Sequence, residues 1–318
     1  MSRTRSDGVT ITVTVPGQGK SLLLRELERY LRALRARHNS ERTITIYGYA
    51  IRYLDEFLAR QGMAQDPAHL TREYIEDFLL DAGAHYAAST VLIRFRALNT
   101  FFRWLLDEGE ITRNPMERMR APKIEERPPD VVQVTLLRKL FKLCGGNSFR
   151  DRRDMAILSI MLDTGLRRGE VAQLMTEHVD QDQQLLHVHV KGNRYRYVHY
   201  NHQAARDLDR YLRQRDRHPR ADAPWLWISS LGDRPLSASG IYHMLQARCR
   251  EAKIPPIHPH QMRHTFAHMF LAAGGQEGDL QRAGGWKSRA MLSRYGSSVA
   301  DQRAHEAHAR FSPRDRLW

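Results

Sequence analysis

Apolar residues recur at helical spacing through the first third of the chain and predict a group of amphipathic helices there. The periodic segments are Leu22–Arg37, Thr43–Gln61, Thr71–Leu80 and Ser89–Glu108. Asn114 and Pro115 interrupt the pattern, and the stretch 119–129 is rich in proline and charge. Because proline cannot continue a helix, we predict a helical domain over residues 20–118 and a linker over residues 119–129.

From residue 130 the helical spacing returns, but the middle of this segment has the period of β-strands. Helices are predicted over Thr135–Leu143, Asp151–Asp163, Arg168–Met175, Gln203–Arg215, Ser237–Ala252, Gln261–Ala273, Gln276–Ala283 and Ser288–Tyr295. Strands are predicted over Leu185–Val190 and Tyr195–Tyr200, on either side of a Lys191-Gly192-Asn193 turn, and a further short one at Trp225–Ile228. Residues 130–299 are therefore expected to form a mainly α domain with a small antiparallel β-sheet.

The two ends of the chain carry their own patterns. Valine and isoleucine alternate with threonine from Val9 to Val15, which is the period of a strand, and Pro16 ends it. Residues 1–19 are expected to form a strand-like arm, which is an edge strand, a strand added to a partner, or an ordered arm. Residues 300–318 predict a tail helix that docks either on its own chain or on a neighbouring protomer.

The charge balance narrows the classes of partner. Of the 318 residues, 50 are Lys or Arg and 36 are Asp or Glu, which gives a formal net charge of +14. A surplus of this size favours a polyanionic partner, most often a nucleic acid. No apolar run reaches the roughly 18 residues of a membrane span, and two cysteines are too few for a disulfide framework. We expect a cytoplasmic protein that is associated with the nucleoid when bound to DNA.

Two motifs suggest a cofactor but lack essential residues. Gly19-Lys20-Ser21 resembles the end of a phosphate-binding loop, which also needs a glycine where Thr14 stands. Ser21 is better explained as a helix N-cap. Histidines recur at intervals of four from His260 to His268, but no cysteine or carboxylate accompanies them at ligand spacing. We expect neither a metal site nor a cofactor.

Residues that could act on a phosphate occur at separate places in the second domain. Arg167 starts a predicted helix just after Gly165, and Glu170 lies one turn further on, where it can orient the arginine. Lys191 lies at the tip of the predicted hairpin, where an ammonium group can approach a leaving oxygen. Each of these residues, taken alone, is more often part of a cap or a solvated turn.

Further candidates lie towards the C-terminal end. His260 and Arg263 are one helical turn apart, so both side chains can reach one phosphate. The indole of Trp286 is a hydrogen-bond donor. The phenol of Tyr295 can act as a nucleophile when its neighbours remove the proton. Only the order and spacing of all these residues together indicate a catalytic site.

In that order the residues resemble the tyrosine recombinase (phage integrase) family. The matching stretches are Thr164-Gly165-Leu166-Arg167 with Glu170, Lys191-Gly192-Asn193, His260-Gln261-Met262-Arg263-His264, and Gly285-Trp286 nine residues before Tyr295. Trp286 stands where many members of the family have histidine. The resemblance implies a helical core-binding (SAM-like) domain followed by a tyrosine-recombinase catalytic domain.

The resemblance also implies a reaction, which is site-specific cleavage and rejoining of duplex DNA without metal or ATP. Tyr295 would attack the scissile phosphate and form a 3′-phosphotyrosyl intermediate. Arg167 and Arg263 would clamp the non-bridging oxygens of that phosphate, and Lys191 would protonate the departing 5′-oxygen.

The remaining site residues have supporting roles in the same resemblance. His260 would act as general base or as a further phosphate ligand, Trp286 would donate its indole N–H, and Glu170 would orient Arg167. Phosphate contacts outside the site are expected from Arg94, Arg96, Arg103, Arg194 and Arg196.

Double-stranded DNA is the expected partner, bound by a homotetramer that holds two DNA sites, and the resemblance allows an accessory directionality factor. The alternatives are a type IB topoisomerase-like or telomere-resolving strand transferase, and a DNA-binding protein of this fold without catalysis. The sequence leaves integration, excision, dimer resolution and transposition open as biological roles.

Overall fold

The computed structural model describes residues 20–124, 130–190, 194–229, 234–286 and His308. The chain divides into two compact units, Met1–Glu126 and Arg127–Trp318. In their described residues the first unit is helical and the second combines helices with a three-stranded sheet, so the predicted fold class is confirmed. The finer domain limits stay predictions, and the arm and tail fall outside the described residues, His308 excepted. No helix in the described ranges combines the length and the hydropathy that a membrane crossing requires.

Serine side chains cap the N-terminal ends of the first two helices of the first unit. The helices of this unit are α1 (Leu22–Ala36), α2 (Glu41–Arg60), α3 (Arg72–His85) and α4 (Ala88–Asp107). The hydroxyl oxygens of Ser21 and Ser40 each accept a hydrogen bond of 3.1 Å from a backbone N–H in the first turn of α1 and α2. Each bond satisfies a donor that a helix start leaves unpaired. The N-cap role expected of Ser21 is confirmed.

Apolar side chains of these helices meet in one core. Tyr30 of α1 contacts Phe101 and Trp104 of α4, with ring centroids 5.3 and 5.2 Å apart. Helix α3 runs to His85, beyond its predicted end at Leu80, because Ala82 is also fully buried and extends the apolar face by a turn.

The second unit is built around a central helix, α6. Its helices are α5 (Val134–Leu143), α6 (Phe149–Thr164), α7 (Arg168–Ala172), α8 (His202–Arg215), α9 (Ala238–Glu251), α10 (Pro259–Ala272) and α11 (Glu277–Gly284). Consecutive residues of α6, among them Ala156, Ile157 and Leu158, are fully buried. Most of α6 is buried in the interior of the unit, so it supports the loop that follows it.

The sheet is small and antiparallel. It consists of β1 (Val179–Asp180), β2 (Leu185–Val190) and β3 (Arg194–His199), in that order across the sheet. Leu186 and Val198 are opposite each other on its buried face. Strand β1 has too few residues to show a hydrophobic period, so it was not predicted.

The strand predicted at Trp225–Ile228 is wrong. This segment makes only two isolated bridges within the described residues. Side chains take several of its backbone acceptors: the hydroxyl of Tyr211 donates to the Leu226 carbonyl at 2.8 Å, and Arg215 donates to the same oxygen at 3.2 Å. Side chains and single backbone hydrogen bonds to Leu174 and Leu236 therefore hold the segment, rather than a sheet.

The helix predicted over Arg168–Met175 is shorter than expected. Helix α7 ends at Ala172. The Leu174 carbonyl then accepts a hydrogen bond of 3.0 Å from the Leu226 N–H. Because this pairing draws the chain away from the helical path, a pattern of local spacing alone overestimates the length of α7.

Candidate active site

The loop between α6 and α7 begins with a left-handed turn. Gly165 has φ +62°, a conformation that glycine adopts without a steric penalty. A Cβ atom at this position would lie 2.2 Å from Cδ1 of Phe266, which is an impossible contact. Gly165 therefore lets the backbone both turn sharply and approach the ring of Phe266.

Arg167 and Glu170 form a reciprocal pair at the start of α7. The Glu170 carboxylate accepts from the backbone N–H of Arg167 at 2.8 Å and from its guanidinium at 3.0 Å. The Arg167 side chain is 46% exposed, whereas that of Glu170 is 12% exposed. The carboxylate thus orients an arginine whose guanidinium remains accessible to an anion. The expected pairing of these two residues is present, while their catalytic roles stay predictions.

Arg196 of β3 reaches the same carboxylate. Its guanidinium donates to Glu170 at 3.3 Å and to the carbonyl oxygen of Ala283, at the end of α11, at 2.6 Å. Burial lowers the pKa of Arg196, although the charge of Glu170 opposes this effect. We expected Arg196 on an outer basic face, and the structure instead directs its guanidinium to the residues around Arg167.

Arg263 of α10 is the most deeply buried arginine of this group, with 2% of its surface exposed. Its guanidinium donates to the backbone carbonyls of Gly165 and Gly284, the latter at 2.8 Å. It also lies 3.8 Å from the ring centroid of Trp286, within the range of a cation–π contact. Backbone dipoles and an aromatic face together stabilise this buried charge.

Trp286 follows the end of α11 and is 4% exposed. Its ring is parallel to that of Phe266, with a centroid separation of 6.5 Å. Gly284 is required beside it, because a Cβ atom there would lie 1.6 Å from Cζ3 of the indole. The tryptophan is thus a buried wall against Arg263, and the donor role of its N–H stays a prediction.

His260 lies in the first turn of α10, next to His264, with ring centroids 4.2 Å apart. Its side chain remains exposed. The part of the imidazole that the protein covers is desolvated, which lowers the pKa of His260, and the positive charges of Arg263 and Arg167 lower it further. The neutral imidazole is therefore favoured, which is the form that can accept a proton.

Some of the predicted residues fall outside the described ranges. Lys191 and Tyr295 lie outside the described residues, as does the side chain of Arg194. Their assignments stay predictions from the sequence.

The arginines predicted for DNA contact in the first unit differ in environment. Arg96 and Arg103 are exposed on α4. Arg94 is half-buried beside two aromatic rings, with its guanidinium carbon 3.9 Å from the centroid of Tyr53 and 3.7 Å from that of Tyr86. Since Tyr53 belongs to α2 and Tyr86 follows α3, Arg94 links its own helix to both of these segments as well as contributing charge.

Three arginines of the described residues meet where α7, β3, α10 and α11 come together. Arg167, Arg196 and Arg263 carry three positive charges, and Glu170 carries the negative charge that links the first two. Hydrogen bonds connect them through the Ala283 and Gly284 carbonyls. Fixed guanidinium groups of this kind stabilise the charge that develops on a phosphate during transfer. The sequence pattern did not reveal that Arg196 belongs to this group.

Comparison with known proteins agrees with the geometry. The sequence model described as "Phage integrase family" matches residues 135–302. The model described as "Phage integrase, N-terminal SAM-like domain" matches residues 27–110. The two matches fall in separate units of the chain and together cover most of its described residues.

A curated relative matches over most of both chains. Tyrosine recombinase XerC of Lacticaseibacillus casei (strain BL23) is 28% identical over 265 residues, which is 81% of this chain and 89% of the relative. The length of the match indicates that the two proteins share both units rather than one.

Two solved structures share the fold. The XerH site-specific recombinase bound to a palindromic difH substrate, in a post-cleavage complex, superposes with a TM-score of 0.72 at 17% identity, covering 89% of this chain and 83% of that one. A lambda integrase tetramer bound to a Holliday junction gives a TM-score of 0.66 at 18% identity, covering 90% and 83%. Because the family model spans more than half of the sequence and the fold agrees, the chain belongs to the phage integrase family and is a tyrosine-type site-specific recombinase.

Proposed function

We propose that this recombinase cleaves duplex DNA by attack of the Tyr295 phenol on the scissile phosphate. The bond between phosphorus and the 5′-oxygen breaks as the bond to the tyrosine oxygen forms. Lys191 gives a proton to the departing 5′-oxygen, and neutral His260 accepts the proton of the phenol. Rejoining reverses these steps, so the 3′-phosphotyrosyl bond conserves the energy of the broken linkage and the reaction needs neither ATP nor a metal ion.

The observation that supports this proposal is that one arginine of the site is accessible and another is buried and fixed. Arg167 is half-exposed and oriented by Glu170, whereas Arg263 is fixed by two backbone carbonyls. Such preorganised donors cost no rearrangement when negative charge develops on the phosphate oxygens. Trp286 covers one face of Arg263 and keeps water from it.

The DNA-bound relatives suggest the assembly. We propose that this chain binds double-stranded DNA, that four copies act on two DNA sites, and that the protein works at the nucleoid. Arg96, Arg103 and Arg194 are proposed to contact phosphates outside the cleavage site. An accessory directionality factor stays a prediction. The topoisomerase-like and non-catalytic alternatives are not favoured, since the relatives that match along most of their length are recombinases.

A trapping experiment tests the reaction. The protein is incubated with nicked suicide duplexes that carry its recombination site, in the presence of EDTA, and the covalent adduct is measured on a denaturing gel. The wild-type protein should form the adduct, and Tyr295→Phe should bind the same duplex without forming it. An adduct with the Phe variant, or a strict requirement for a divalent metal, would contradict the proposed mechanism.

A further inference from the structure

Arg196 connects three segments of the chain that are distant in sequence. It belongs to β3, which follows the Lys191 turn. Its guanidinium donates to the carboxylate of Glu170 in α7, at 3.3 Å, and to the carbonyl of Ala283 in α11, at 2.6 Å. A single side chain therefore holds the hairpin, the Arg167 loop and the end of α11 together.

The surrounding backbone leaves space for this guanidinium. Gly285, with φ +65°, is the residue beside it, and a Cβ atom there would lie 3.0 Å from both Cζ and Nε of Arg196. The Arg196 side chain is only 16% exposed, and its Nε is buried without a hydrogen-bond partner. This environment is that of a built-in structural contact, because two nitrogens of the guanidinium donate to protein acceptors and the third is buried.

Both contacts of Arg196 lead to groups that are proposed to hold the phosphate. Glu170 accepts from the guanidinium of Arg167, and Ala283 directly precedes Gly284, whose carbonyl accepts from Arg263. A displacement of Arg196 would therefore disturb the orientation of Arg167 and the carbonyl that fixes Arg263. A shift of about 1 Å in such groups is enough to lower a catalytic rate about 100-fold.

We propose that Arg196 is a positioning residue for DNA cleavage, acting through Glu170 and the Ala283 carbonyl rather than by contact with DNA. This inference rests on the proposed function, because it concerns the same cleavage site. It replaces the sequence-based expectation that Arg196 binds an outer phosphate, which becomes an outcome of the test.

The test separates binding from cleavage. Arg196→Gln and Arg196→Lys are compared with wild type and with Arg213→Gln, a matched control that removes an exposed arginine of α8 paired with Asp209. The dissociation constant for an uncleaved duplex is measured over a range of salt concentrations, and the rate of adduct formation is measured at saturating suicide DNA. Thermal unfolding shows that each variant is folded.

We expect Arg196→Gln to form the adduct about 100-fold more slowly at saturating DNA, with a dissociation constant within about twofold of wild type. Arg196→Lys should lose about tenfold, since a single ammonium group replaces a fork that reaches two acceptors. If Arg196→Gln does not fold, the adduct rate and the dissociation constant of Arg196→Lys test the proposal instead. Arg213→Gln should behave as wild type.

A second arm tests the route through Glu170. If Arg196 acts through that carboxylate, the double variant Arg196→Gln/Glu170→Gln should lose less than the product of the two single effects. Full additivity would overturn the proposal. The proposal would also be overturned if Arg196→Gln bound DNA more weakly but formed the adduct at the wild-type rate at saturating DNA. In that case the slope of log affinity against log salt concentration should fall by about 1, because one phosphate contact is lost. All rates are relative to wild-type adduct formation, so a wild type without any adduct refutes the proposed function instead.

Discussion

Gly165 provides the sharpest test of how the site is built, because Gly165→Ala meets two separate obstacles. Its φ of +62° lies in the left-handed region, which disfavours any Cβ atom. The added methyl would lie 2.2 Å from Cδ1 of Phe266. That ring is 8% exposed and packs near Trp286 and Phe270, with centroid distances of 6.5 and 5.9 Å. A shift of the ring would therefore disturb a packed aromatic cluster.

The expected loss of stability follows from these two terms. A non-glycine residue in the left-handed region costs about 1–2 kcal/mol. Carbon atoms in contact normally stay about 3.5 Å apart, so the ring or the loop must move by about 1.3 Å. Overpacking of a core by one methyl costs about 1–3 kcal/mol. Together the substitution should lower the free energy of unfolding of the second unit by about 2–5 kcal/mol.

Urea unfolding of the full chain, followed by circular dichroism, measures this loss. Gly169→Ala is the matched control: Gly169 lies in α7 only four residues away, and a Cβ atom there would meet nothing within 4 Å. That change should be neutral or should raise stability by up to about 1 kcal/mol. Equal stability of the two variants would refute the explanation of Gly165. Since the Gly165 carbonyl also accepts from Arg263, Gly165→Ala should slow adduct formation as well.

Three further outcomes are expected. Arg94→Lys should lower the unfolding free energy of the first unit by about 1–2 kcal/mol, because an ammonium group cannot keep the guanidinium's contacts with both rings. The exposed Arg96→Lys should change nothing measurable, and chemical unfolding compares the two variants. The acidic limb of the cleavage rate should lie below pH 6.5, since the pKa of His260 is lowered from that value, and a single-turnover pH profile tests this. Burial lowers the pKa of His264 from 6.5 to about 4. As the pH falls, the unfolded chain therefore takes up a proton at this residue before the folded chain does. The free energy of unfolding of the wild type should decrease as the pH drops from 6.5 towards 4. His264→Gln should flatten that part of the stability profile measured in urea.

Local spacing predicted most elements of the fold, because amphipathic helices and a hairpin turn leave their signals within a few neighbouring residues. The strand Leu185–Val190 was placed with its observed limits. Helix α7 and the segment Trp225–Ile228 were predicted incorrectly because their ends depend on each other. Hydrogen bonds between residues that are distant in sequence determine where both segments end. A local hydrophobic period contains no information on such pairings.

The candidate site was likewise predicted only in part. The order of Arg167, Glu170 and Arg263 pointed to phosphate chemistry. In the structure Arg167 donates to Glu170, and Arg263 donates to the carbonyl of Gly165 in the loop before Arg167. The position of Arg196 was not predicted, since its Ala283 partner lies 87 residues away in sequence. One local signal was present: the pairing of Val188 with Arg196 puts this arginine on the same face of the sheet as a buried valine.

Arg263 is anchored on the Gly165 and Gly284 carbonyls, and this affects which amino-acid substitutions the site can tolerate. A carbonyl oxygen is present whatever side chain a residue carries, so these anchors are independent of most substitutions around them. Substitutions of the side chains around these anchors can therefore accumulate while the charge of Arg263 stays in place. The two glycines are the exception, and a mutant library designed to redirect the enzyme should keep both of them fixed.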